Sequence, residues 1–153
     1  MFAYQLEHIF SYHITVTPPE LIGQASDGLR FNFYITGGEI TGPRVRGKVR
    51  AVGADWVRVR PDGVALIDVR STFEAEDGAL IYVTVDGSAD FGEGGYARLL
   101  AGTPPPSPTR FRIFPRFDTA HTQYRWLNRL HCLGVGEAHF NQFRVAYDVY
   151  ALR

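Results

Sequence analysis

Two carboxylates and one guanidinium on a single apolar face would make an acid–base site, and residues 42–87 offer that combination in Asp55, Asp68 and Arg70. The stretch reads as four antiparallel strands joined by tight turns, two of them marked by Asp62-Gly63 and Asp77-Gly78. Asp-Gly is a strong hairpin signal, because both central positions of a two-residue turn must tolerate positive φ. Counted as two-residue turns, the register sets Asp55 opposite Arg70, with Asp68 opposite Val57 on the same face. Arg70 can hold one carboxylate bidentately. The other is then costly to ionise and becomes the candidate general acid or base, while Arg70 orients an anionic or carbonyl oxygen. A buried ion-pair network tying three strands together is the competing reading.

The elements that must position this cluster are strands throughout. Residues 4–16 alternate, placing His8, Phe10, Tyr12, Ile14 and Val16 on one face, with Ile9 as the exception. Residues 17–28, which open on Pro18-Pro19, read as an irregular connection. A second strand covers 29–35, with Phe31, Phe33 and Ile35 inward, and Gly37-Gly38 breaks it. In 44–51, Val45, Gly47, Val49 and Ala51 alternate with Arg44, Arg46, Lys48 and Arg50, so the basic row faces solvent. The link at 52–54 requires a three-residue loop or a bulge.

Residues 88–107, rich in Gly and Pro, predict a loop with one helical turn at 96–100, lying as a lid across one end of the sheet. Strands resume at 110–117, with Phe111, Ile113 and Phe117 inward. Another is expected over 123–135, with Trp126, Asn128, Leu130 and Cys132 inward. In the last, Phe143, Val145, Tyr147 and Val149 point in and Arg144 points out. Eight or nine strands and no long helix predict an all-β fold, a single antiparallel up-and-down β-barrel over residues 1–153, with a β-sandwich as the alternative.

Collecting the inward positions gives a lumen lined by Tyr12, Phe33, Phe111, Trp126 and Tyr147. Asn128 stands beside the Asp–Arg cluster, and His8 and Thr72 are further polar candidates. Apolar walls with a few convergent polar groups describe a pocket for a small hydrophobic or aromatic ligand. An eight-stranded barrel is also the size that side chains alone can fill. On the opposite face, Phe73 and Tyr82 beside Ile67 and Val69 predict a homo-oligomer, with a dimer favoured.

Other function classes recede. The 16 basic and 16 acidic residues cancel, which leaves no global field for nucleic acid or an anionic membrane. No apolar run reaches the ~20 residues of a spanning helix. The single cysteine, Cys132, excludes an intrachain disulfide and is expected as a core thiol. The five histidines lack metal-ligand spacing, and the glycines at 92–95 do not sit between a strand and a helix as a phosphate loop would. No metal and no cofactor is expected, and the location expected is the cytoplasm.

Gly42-Pro43, Gly47, Gly53-Ala54-Asp55-Trp56, Asp62-Gly63, Asp68-Val69-Arg70, Asp77-Gly78-Ala79 and Trp126-Leu127-Asn128 resemble the domain of unknown function 3237 family. The resemblance runs from about residue 30 to 150. It implies a calycin-like barrel and self-association, and no defined reaction. Together the residues point to a cofactor-free isomerase, cyclase or lyase acting on a small aromatic or polyketide-like molecule. Asp55 or Asp68 would move the proton, Arg70 and Asn128 would hold an oxygen, and Trp126 and Tyr147 would stack on the ligand. The alternatives are a carrier that does no chemistry and a filled barrel whose role is assembly.

Overall fold

One long strand closes the sheet by serving two neighbours along the same edge. The computed structural model describes residues 2–153. Its strands are β1 (Leu6–Val16), β2 (Glu20–Ala25), β3 (Gly28–Thr41), β4 (Gly47–Val59), β5 (Val64–Ala75), β6 (Leu80–Asp90), β7 (Thr109–Asp118), β8 (Cys132–His139) and β9 (Arg144–Leu152). The first half of β3 pairs with β2, from Asn32 against Glu20 to Gly28 against Ala25. Its second half pairs with β1, from Ile35 against Val16 to Thr41 against Ser11. The sheet order β1-β9-β8-β7-β6-β5-β4-β3 therefore returns to β1, and β2 is a ninth strand beside the ring. All pairs are antiparallel, and closure leaves the ring without a free edge.

Two expectations for this part of the chain are corrected. The connection over 17–28 contains β2, because Glu20–Ala25 folds back on β3 around a two-residue turn. Gly37-Gly38 does not end the strand: β3 continues through a bulge between Tyr34 and Gly38. A Cβ on Gly38 would lie 2.0 Å from the His13 carbonyl oxygen, so glycine here permits the close approach of β1 that closes the barrel. A bulge between His8 and Phe10 likewise explains why Ile9 and Phe10 are both buried.

The Asp-Gly turns are one residue longer than a two-residue reading allows. The Gly63 N–H donates to Arg60 O at 2.9 Å and the Arg60 N–H to Val64 O at 2.9 Å, so residues 61–63 form the loop. The second turn repeats this with Gly78 to Ala75 O at 2.8 Å and Ala75 to Ala79 O at 2.9 Å. In each, the Asp Oδ1 accepts the N–H two residues on, and the glycine takes positive φ. This is a type I turn closed by a bulge glycine. Pro61 dictates the first: a two-residue turn would need a ladder N–H from residue 61, which proline lacks.

One extra residue shifts the register by one, and a one-residue shift turns every side chain of β5 to the other face. Asp55 faces Val69 and Ala54 faces Arg70, while Ser71 faces Val83. Ile67, Val69 and Phe73 are therefore inside, and Asp68, Arg70 and Thr72 are outside. The predicted outer patch loses three of its four members, leaving Tyr82 exposed without them.

The expected strands at 44–51 and beyond merge into a single β4, continuous through a bulge between Val49 and Gly53. The expected strand over 123–135 is instead a 3-10 segment, Arg125–Arg129, followed by β8. Tyr124 and Leu127 are buried and Leu130 is half-buried, the i, i+3 spacing of a 3-10 turn rather than the alternation of a strand. This segment plugs one end of the barrel. Asn128 holds it there, accepting from the Thr119 N–H and donating to Asp118 Oδ1 and Thr119 O at 3.0–3.1 Å. Above the plug, Phe10, Phe73 and Phe117 pack against one another with centroids 5.4–6.3 Å apart. The lower half of the barrel is solid.

Candidate functional site

The upper half is hollow. A cavity of about 350 Å³ opens at the end where β4 meets β5 and β8 meets β9. Its walls include Ile14, Phe31, Phe33, Val57, Ile67, Phe111 and Tyr147. Tyr12 stacks on Tyr147 with centroids 5.1 Å apart and rests in turn against Phe73, so the two tyrosines cap the packed lower layer. Pro19 and Leu21 from the β2 arm reach the mouth. So do Leu99, Thr103, Pro104 and Pro105 from the segment after β6, which carries helix α1 (Gly95–Leu100). The lid expectation agrees with this placement for residues 91–107, whereas 88–90 complete β6.

Asp55 is the acidic residue in that wall. It is 9% exposed, and its Oδ1 accepts the Asp68 N–H at 3.1 Å. No arginine or lysine pairs with it among the described residues. Burial pushes its carboxyl from 3.8 up to about 7; the Asp68 N–H offsets part of that rise, and the Asp68 charge adds to it. Burial also raises Tyr12 and Tyr147, with the nearby Asp55 charge contributing to both. Both phenols therefore stay protonated near neutral pH, as donors beside a carboxyl that can be either charged or neutral.

The rest of the predicted cluster disperses. Asp68 and Arg70 form an ion pair at 2.6 Å on the outer surface, each side chain about half exposed. The Arg70 guanidinium lies 5.6 Å from the Trp56 ring, also outside. Neither side chain reaches the lumen, because the turn register directs both away from it. Arg70→Ala is accordingly expected to cost under ~1 kcal/mol in a denaturation experiment, as exposed ion pairs do, and to leave any chemistry in the cavity intact.

Phe33, Phe111 and Tyr147 line the cavity as expected, and Tyr12 lies beneath it. Trp126 and Asn128 do not line it, since both belong to the plug at the far end. There the Arg44 guanidinium covers the Trp126 ring at 3.7 Å. His8 is exposed and bonds Ser11, which bonds Asp148. Cys132 is buried, and burial pushes its thiol up to about 11, which keeps it an inert core group.

Residues missed from sequence sit at the mouth: His139, Phe140 and Arg144. Strand alternation turns Arg144 outward, and His139 and Phe140 fall at the β8–β9 connection, where alternation assigns no face. Phe143 is in the left-handed region at φ 49, so β9 begins only at Arg144. Among the described residues, no group of three or more His, Cys, Asp or Glu side chains is placed to hold a metal ion. Among the described residues, no helix is long and apolar enough to cross a membrane.

Comparison with known proteins follows the same outline. The family model described as "Protein of unknown function (DUF3237)" matches residues 4–152. A UPF0311 protein of Rhodopseudomonas palustris is 32% identical over 148 residues, covering 95% of each chain. The crystal structure of the protein RPA1785 from that organism superposes with a TM-score of 0.87 at 30% identity, covering 100% of both chains. More distantly, a hydroalkoxylation enzyme of Penicillium herquei is 28% identical over 131 residues, which is 85% of this chain and 72% of that protein. The structure of an enzyme from the same fungus has a TM-score of 0.71 at 25% identity, covering 100% of this chain and 97% of that one. With a family model that matches residues 4–152 and a barrel shared with these relatives, the chain belongs to the DUF3237 family.

Proposed function

We propose that the protein is a cofactor-independent acid–base enzyme of isomerase, cyclase or lyase type. Its substrate is a small, largely apolar aromatic or polyketide-like molecule held in the upper barrel. The observation that carries this reading is Asp55: an unpaired carboxyl in the wall of an apolar cavity, with its pKa near 7. A group poised near the working pH can take a proton from one substrate atom and return it to another.

Addition of a hydroxyl across a carbon–carbon double bond has this balance. The O–H proton leaves as the C–O bond forms, and one proton is delivered to the neighbouring carbon as the π bond is lost. The fungal relative's name describes a reaction of that class, and its similarity over most of this chain supports extending the class here. Tyr147, kept protonated by burial, would donate to the substrate oxygen on which charge develops.

The nearly all-apolar lining favours a second reading, a carrier that binds such a molecule without converting it. Incubation with a panel of aryl hydroxyalkenes in D2O separates the two. The enzyme reading expects a product with one carbon-bound deuterium and lost turnover in Asp55→Asn. Compounds bound and returned without deuterium would establish the carrier.

A further inference from the structure

Among the described residues, the cavity mouth holds one cation without a partnering carboxylate. Three arginines are half-buried: Arg30, Arg58 and Arg144. Arg30 and Arg58 share the Asp27 carboxylate at 2.6 and 2.9 Å. Arg144 lines the cavity and, among the described residues, has neither an ion pair nor a side-chain hydrogen bond. The candidate acid on the adjoining strand, Glu137, is bonded to His139 Nε2 at 2.9 Å. A guanidinium does not lose its proton to relieve this, and it presents a planar fork suited to an oxyanion.

We infer that Arg144 is an anion-binding residue, and that the molecule the cavity takes is an amphiphile with an apolar, ring-sized body and one carboxylate-like group at its outer end. The inference rests on the cavity being a ligand site. Depth agrees with it. Arg144 opens β9 and Tyr147 follows three residues later, roughly 10 Å along a strand, so the body of such a ligand reaches the Tyr147–Asp55 level while its anion stays at the rim. The orientation also keeps the anion away from Asp55, which a charge at the inner end would oppose. Specificity then has two parts, apolar walls that accept many ring systems and one guanidinium that selects charge.

The matched pair 2-naphthoate and 2-naphthamide tests this by calorimetric titration near pH 6, where the naphthoate is ionised. The wild-type protein is expected to bind naphthoate more tightly, by roughly tenfold to a hundredfold in Kd, the range of a charge-assisted hydrogen bond. Arg144→Gln should bring the two ligands to equal affinity while still binding the amide, which also shows that the variant is folded. Asp55→Asn should keep the preference. Equal binding of both ligands to the wild type, or a preference that survives Arg144→Gln, would overturn the assignment and leave the Asp55 chemistry standing. If neither ligand binds the wild type, the assignment and the ligand-site reading fall together.

Discussion

Asp55→Asn is expected to abolish turnover and, at pH 8, to make the fold more stable than wild type. The two effects have one cause. Burial holds the native carboxyl near 7, whereas the unfolded chain releases that proton near 3.8. Below 3.8 both states are protonated and Asp55 costs nothing. As pH rises toward 7, the unfolded state gives up a proton that the native state retains, so native stability falls, and above 7 the full cost is present. Three pH units correspond to about 4 kcal/mol, an upper figure for the gain on substitution. Asparagine keeps an oxygen for the Asp68 N–H, so that hydrogen bond survives. Urea denaturation of both proteins at pH 4 and pH 8 should show nearly equal stabilities at the first and a stabilised variant at the second. A variant destabilised at pH 8 would mean that the wall needs the charge for structure.

Phe73→Ala should be the most damaging of the simple truncations, costing about 3–5 kcal/mol. Phe73 is 1% exposed and touches Phe10, Tyr12 and Phe117 beneath the cavity floor. Tyr82→Ser, one register step away on β6 but 49% exposed, should fall within ~0.5 kcal/mol of wild type. Thermal unfolding of the pair therefore reads the β5 register directly. A mild Phe73→Ala would return β5 to the opposite face, and with it the Asp68–Arg70 pair to the lumen.

That register marks where the sequence stopped being legible. The barrel was readable because alternation along β1, β3, β7 and β9 needs only period two, and Asp55, Phe33, Phe111 and Tyr147 followed from parity with their apolar neighbours. Asp68 and Arg70 did not, since their facing depended on the length of a turn and not on pattern. Pro61 held the missing information, as its lack of an N–H excludes the shorter turn. Trp126 and Asn128 were misplaced for a related reason: Tyr124, Leu127 and Leu130 recur every three residues, and the 3-10 plug they form was read as a strand. Arg144 was missed because alternation with Val145 turns it outward, whereas as the first residue of β9 it sits at the cavity rim. What survived was one carboxylate of three candidate groups, in a setting more apolar than the cluster first implied.

Acid–base chemistry in the cavity requires that Asp55 be a buried acid that titrates at the working pH. A carbon-13 NMR titration of its side-chain carboxyl, assigned by comparison with Asp55→Asn, tests this most directly. A midpoint near 7 is the predicted result; a midpoint in the ordinary aspartate range near ~4 would contradict it.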